Sequence, residues 1–289
     1  MQYTMNSFFQ ACAACAFLAV VCDGPLSAQW PAHATEGVPK TAEGRPDLNG
    51  PTPRMPGGKP DFSGIWQFVD SPSARPRSAP PRGAGTIGIG QAVPGLYQFF
   101  DIGSTLKDGL PFQPWAAAVR RQRVAENNKD NPDAQCLPLG LMQLHTHPQP
   151  RKMIQTPSLL VVLYEANGGV RQIFMDGRPL PPKGSQQPWW YGYSTGKWEG
   201  DTLVVETSGF RDDVWLDVEG SPLTESAVMT ERFRRPNYGN MEVEITVDDP
   251  KAYTKPWTVT VHHHIMLDTE LIEFVCQENE RDVPHLTGK

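Results

Sequence analysis

Met241-Glu242-Val243-Glu244-Ile245-Thr246-Val247 is apolar at every odd position and polar at every even one. Only an extended strand sends such a pattern to two opposite faces, one dry and one wet. The run before it, 227–234, puts Met229 and Phe233 on one face, and Pro236-Asn237-Tyr238-Gly239-Asn240 between them is turn chemistry. The run after it, 257–265, puts Trp257, Val259, Val261 and Ile265 on one face. Three strand-like runs joined by turns predict a meander.

Working outward, further strand-like runs lie at 61–68, 152–156, 159–165, 170–175, 190–198, 202–207 and 270–276. Their separators are Asn167-Gly168-Gly169, Asp176-Gly177-Arg178-Pro179 and Glu199-Gly200-Asp201. The spacing predicts one good helix, 114–126: Pro114 suits a first turn, Ala116 to Ala118 favour helix, and Arg120, Arg121 and Arg123 suit a solvated face. No second helix is long enough for crossovers, so the sheet is expected to be antiparallel. Nine or ten strands in meander order predict a mainly β fold, an antiparallel up-and-down barrel or a sandwich. Gly64-x-Trp66 on the first strand is similar to the opening of lipocalin-type barrels. Residues 29–59 and 71–109 are Pro/Gly-rich without a period, the first read as an extended arm and the second as a long functional or loosely ordered loop. Residues 60–289 read as a single domain.

The chain carries 26 Lys and Arg against 32 Asp and Glu, a formal charge of −6, with no basic block. That argues against a nucleic-acid partner. No apolar run reaches the roughly 18–20 residues of a transmembrane segment. Residues 11–21 are an apolar run followed by Leu26-Ser27-Ala28, the pattern of a signal peptide cut after Ala28. The stretch before it has no Lys or Arg, which departs from that pattern. The expected location is the periplasm or the exterior. Cleavage removes Cys12, Cys15 and Cys22 and leaves Cys136 and Cys276, an even pair expected to form a disulfide in an oxidising compartment.

Parity then points to chemistry. Glu231 falls between Met229 and Phe233 on a dry face, and His263 falls with Val259, Val261 and Ile265. Their strands are separated by one other, so the two would lie on the order of 10 Å apart inside a barrel. Burial is expected to raise the pKa of Glu231 and lower that of His263, bringing both toward the range of a general acid and base. Arg171 or Tyr193 would hold a developing oxyanion. Trp190, Tyr191, Trp215 and Arg178 are candidates for holding an apolar or flat substrate. His145-x-His147 and His262-x-His264 have a spacing that divalent metals use. Against a metal, His262 and His264 share the wet face with Thr258 and Thr260, and His145 and His147 lie in a Pro-flanked loop. There is no phosphate loop. Gly83-Ala84-Gly85-Thr86-Ile87-Gly88 has the letters of a dinucleotide fingerprint but a Pro-rich stretch before it and no helix after it.

Several stretches resemble a family of secreted bacterial proteins, abundant in acidobacteria and sphingomonad-type proteobacteria, of mostly unassigned function. They include Pro-Asp-Phe-Ser-Gly-Ile-Trp (60–66), Cys-Leu-Pro-Leu-Gly (136–140), Arg-Gln-Ile-Phe-Met-Asp-Gly-Arg-Pro-Leu-Pro (171–181), Gly-Tyr-Ser-Thr-Gly-Lys-Trp-Glu-Gly-Asp-Thr-Leu-Val-Val-Glu-Thr (192–207) and Thr-Glu-Arg-Phe-Arg-Arg (230–235). The pattern typical of that family reads Gly-x-Pro-His-Ser where this chain has Gly220-Ser221-Pro222-Leu223-Thr224. The resemblance implies no settled mechanism.

The expected function is a cofactor-independent acid–base enzyme, a lyase or isomerase, acting on a small apolar, aromatic molecule. Two alternatives stand beside it: a non-catalytic binding protein for a small hydrophobic ligand, and a metal-dependent hydrolase or oxygenase using the His-x-His pairs.

Overall fold

The computed structural model describes residues 34–69, 96–185 and 187–276. The expected signal peptide, most of the 71–109 loop and the glycine-rich 83–88 stretch lie outside the described residues. The described residues from Thr35 onward belong to one compact unit.

Nine strands form a closed barrel in sequence order: β1 (Gly64–Val69), β2 (Arg151–Gln155), β3 (Leu159–Tyr164), β4 (Val170–Phe174), β5 (Tyr193–Glu199), β6 (Thr202–Ser208), β7 (Val228–Arg234), β8 (Asn240–Asp248) and β9 (Trp257–Met266). The mainly β barrel is as the alternation predicted. One pairing is not antiparallel: β4 and β5 run parallel, with Ile173 opposite Ser194. Parity is the reason. Strands that alternate up and down close without a parallel pair only if their number is even, and here it is nine. The connection from Phe174 to Tyr193 is long enough to return to the start of β4, so the exception falls there.

The expected tenth strand, 270–276, is irregular. β1 already pairs with β9 from Ile65–Met266 to Val69–His262, so the barrel offers that segment no free edge. It is fastened by other means. Cys276 is disulfide-bonded to Cys136, Lys152 Nζ donates to Glu270 at 2.6 Å, and the Ile272 N–H donates to Glu165 at 3.1 Å.

Among the described residues there are three α-helices: α1 (Tyr97–Phe100), α2 (Pro114–Ala125) and α3 (Leu141–Thr146). α1 and the 3-10 turn Ile102–Thr105 occupy part of the segment expected to be loop. In α2, Arg123 is not simply solvated; it lies 4.5 Å over the Trp215 ring and donates to the Gly220 carbonyl. All six residues of α3 are buried, as an all-round packed helix must be. Gly140 precedes it with no side chain because a Cβ there would overlap the Trp215 carbonyl.

The arm packs on the β7–β8 turn, where the Tyr238 N–H donates to the Gly50 carbonyl at 2.9 Å and the Gly239 N–H to the Leu48 carbonyl at 2.7 Å. Phe62 and Trp66 are fully buried, and Trp66 Nε1 donates to the Phe62 carbonyl at 2.9 Å. The Arg235 guanidinium lies 4.8 Å over the Trp66 ring and donates to the Asp61 and Tyr238 carbonyls. The inner face around them is apolar: Met153, Leu160, Val162, Ile173, Leu203, Val205, Met229, Met241, Val243, Ile245 and Val259 belong to one core cluster with Phe62 and Trp66. Burial of such side chains stabilises by about 1.5–3 kcal/mol each.

Candidate functional site

A belt of polar side chains interrupts that apolar interior. Arg171 on β4, Ser194 on β5, Thr207 on β6 and Glu231 on β7 all point inward, each on the dry parity of its strand. Arg171 grips Glu231 with both terminal nitrogens: NH1 donates to Oε1 at 2.8 Å and NH2 to Oε2. The same guanidinium reaches Ser194 Oγ at 3.1 Å and Thr207 Oγ1 at 3.0 Å. The fork is planar and matches a carboxylate, so the pair is held in one geometry.

The sequence pointed to His145 only as half of a His-x-His metal pair in a loop, not as a member of this belt. His145 on α3 projects into the belt, and its Nε2 lies 2.6 Å from Glu231 Oε1. A carboxylate accepts only, so Nε2 carries the proton and donates it. Its other ring nitrogen, Nδ1, is buried and has no hydrogen-bond partner. His263 on β9 follows, its ring centroid 6.2 Å from that of His145. His263 Nε2 lies 2.9 Å from Arg151 NH1 on β2 and 3.0 Å from the His145 carbonyl. Its Nδ1 is buried and unpartnered as well. His145 thus links the two residues that parity singled out.

The electrostatics differ from the expectation at Glu231. Burial does push its carboxyl upward, but the Arg171 guanidinium and the His145 bond outweigh burial and hold its pKa down to about 2. The expectation assumed a carboxyl without a cation partner. His263 behaves as expected, lowered by burial and by the Arg151 charge. Burial also keeps His145 neutral, outweighing the pull of Glu231, and the Arg171 and Arg151 charges act in the same sense as burial.

The remaining candidates lie elsewhere. Tyr193 is on the outer face of β5, stacked at 5.1 Å on Phe174, and its hydroxyl accepts from Arg178 at 3.2 Å. Arg178 is bound to Asp176 and lies 4.1 Å over Phe174, outside the wall. Tyr193 and Arg171 are therefore on opposite sides of the sheet. Trp190 lies under the Arg211 guanidinium at 4.6 Å. Tyr191 packs at 6.1 Å on Tyr164, and Trp215 is buried under Arg123. Of these aromatic candidates, Tyr191 alone has a ring contact with the belt, through Tyr164.

The two His-x-His pairs do not converge. His145 points into the barrel, whereas His147 past the end of α3 accepts the Gln149 N–H and stands edge-on to Phe99 at 5.1 Å. His262 and His264 lie on the wet parity of β9. Among the described residues no group of three or more His, Cys, Asp or Glu could hold a metal ion.

A groove of about 300 Å3, lined by residues such as Pro182, Lys183, Phe210 and Glu225, opens on the outside and shares no residue with the belt. No helix among the described residues is long and apolar enough to cross a membrane. No family model matches the chain, and no curated protein matches it either.

Proposed function

We propose that the protein is a cofactor-independent acid–base enzyme, a lyase or isomerase, and that His145 rather than Glu231 carries the proton. The observation that supports this reading is the pair of His145 nitrogens. Nε2–H is anchored on a buried carboxylate at 2.6 Å, and Nδ1 keeps its lone pair with no partner. A neutral imidazole fixed in one tautomer by a carboxylate is a general base waiting for a proton. Glu231 has both oxygens engaged and stays ionised, so it orients the imidazole and stabilises the imidazolium formed when Nδ1 takes a proton. Arg171 keeps that carboxylate ionised inside the apolar wall. An isomerase returns the proton to a second atom of the substrate, and a lyase passes it to the departing group.

The small apolar substrate of this reading suits the rings beside the imidazoles. Phe233 lies 6.1 Å from His145, and Phe68 lies 6.2 Å from His263. The Cys136–Cys276 disulfide supports the periplasm or the exterior as its place of work. A carrier of small hydrophobic ligands is the second reading. It is favoured by the complete enclosure of Glu231 and Arg171, which suits retention of a ligand better than turnover.

The test is hydrogen exchange in D2O, followed by proton NMR over small aromatic carbonyl compounds and hydroxy acids. The wild-type protein washes deuterium into an acidic C–H position of at least one of them, and His145→Asn slows that exchange about 100-fold or more. Exchange no faster than in buffer across the whole set, or unchanged in His145→Asn, would leave the carrier as the better reading.

A further inference from the structure

The belt contains two guanidinium groups, and among the described residues only one has a counter-charge. Arg171 is neutralised by Glu231. Arg151 is 3% exposed, and among the described residues no carboxylate lies within ion-pairing distance of it. Its NH1 donates to the His145 carbonyl at 3.2 Å and meets His263 Nε2 at 2.9 Å, while its NH2 donates to the His147 carbonyl at 3.2 Å. Its Nε is buried with no partner. The groups around it are neutral. Burial pushes the Tyr164 hydroxyl up, above the range in which it ionises, and His145, His147 and His263 are all held below the ordinary imidazole value.

A lone cation removed from water costs several kcal/mol, and folded chains rarely leave one so. Two hydrogen bonds to backbone carbonyls and the contact with His263 Nε2 spread that charge without cancelling it. The partner that would cancel it is an anion from outside the chain. The Tyr164 ring lies 6.0 Å from the guanidinium, and the three histidines that Arg151 touches, His145, His147 and His263, pack on the rings of Phe233, Phe99 and Phe68, with Nδ1 of His145 and of His263 unpartnered. One charged group next to several rings suits a molecule with one charged end and an apolar body.

We propose that Arg151 is the anion-binding group of the barrel interior, and that the molecule it takes is an aromatic monocarboxylate. This deepens the reading of His145 as the base: the carboxylate would fix one end of the substrate while the imidazole works on the other. It does not need turnover to be tested. Arg151 is a binding group here and moves no proton.

Isothermal titration of the oxidised full-length chain with benzoate, benzamide and sodium chloride tests it. Benzoate binds saturably and at least tenfold tighter than the uncharged, equally shaped benzamide, and chloride at equal concentration does not displace it. Arg151→Met loses at least tenfold in benzoate affinity and leaves benzamide unchanged. If circular dichroism shows Arg151→Met unfolded, Arg151→Lys replaces it. Lysine keeps the charge but not the fork, and benzoate affinity falls between wild type and benzamide. Equal binding of benzoate and benzamide, no benzoate binding at millimolar concentration, displacement by chloride, or affinity untouched in the folded variant would each overturn the proposal. Arg151-dependent benzoate binding in a protein that fails the deuterium test would remove the catalytic reading and leave this one standing.

Discussion

Glu231 and Asp217 are both fully hidden from water, and they behave oppositely. Glu231 inside the barrel has its pKa drawn down to about 2, whereas Asp217, in the loop between β6 and β7, is pushed up to about 6. Burial raises both and is the largest influence on each. What differs is the partner. Glu231 is gripped by a guanidinium and an imidazole N–H. Asp217 accepts the Ser221 N–H at 3.0 Å, the Ser221 hydroxyl at 2.8 Å and the Ile102 N–H at 3.2 Å, with the Asp101 carboxylate adding repulsion. Neutral donors fix a carboxylate in place, but a cation in contact is needed to keep it charged in an apolar setting. The molecule has placed its permanent charge at the barrel centre, next to the imidazole it orients, and a titrating one in the outer loop.

The largest effect should come from breaking the charged pair. Arg171→Met leaves Glu231 buried without its cation and should cost about 3–5 kcal/mol in urea unfolding at pH 7. Arg171→Met with Glu231→Met should recover most of that loss, because no lone charge remains. The pH sign follows. The folded pKa of Glu231 lies below its ordinary value, so its contribution is present above about pH 4.5 and is lost as pH falls toward 2. The double variant should lack that acid limb. A double variant as unstable as the single one would show that the belt is held by packing rather than by charge.

Asp217 should give a smaller effect of opposite sign. Its folded pKa is raised, so its contribution is full below about pH 3.8 and is lost as pH rises through about 6. Two pKa units correspond to on the order of 2–3 kcal/mol. Asp217→Asn cannot titrate, so wild type minus variant stability should decline by roughly that amount between pH 4 and pH 7. A difference that stays flat over this range would mean that the outer loop opens to water and that the contrast with Glu231 does not hold.

The contrast also separates what could be read in the sequence from what could not. On β7 and β9 the apolar neighbours Met229, Phe233, Val259 and Val261 made the inward parity of Glu231 and His263 legible. β2 and β4 were not. Arg151-Lys152-Met153-Ile154-Gln155 has apolar residues on both parities, and the structure buries Arg151 while leaving Ile154 43% exposed. Val170-Arg171 is inverted outright, with Val170 at 55% and Arg171 at 2%. A strand whose inner face carries the site gives up the hydrophobic signal that would mark that face. The place of His145 in the belt escaped for another reason. Leu141–Thr146 is six residues long, too short for a helical period to show, and a Gly before and a Pro after look like loop. A short stretch with Leu141, Met142 and Leu144 before the histidine was the available signal, since so apolar a segment is seldom left in water. The closing of nine strands by one parallel pair is a matter of counting, but it needed the tenth predicted strand to be struck out first.

The central claim is that His145 sits in the barrel as a neutral imidazole with its proton on Nε2 and its lone pair on Nδ1. Two-dimensional NMR of protein labelled with 15N-histidine reads tautomer and charge directly. Near pH 6 the His145 signals should show a protonated Nε2 and a bare Nδ1, and Glu231→Gln should loosen that preference. An imidazolium at pH 7, or a proton resident on Nδ1, would contradict the account.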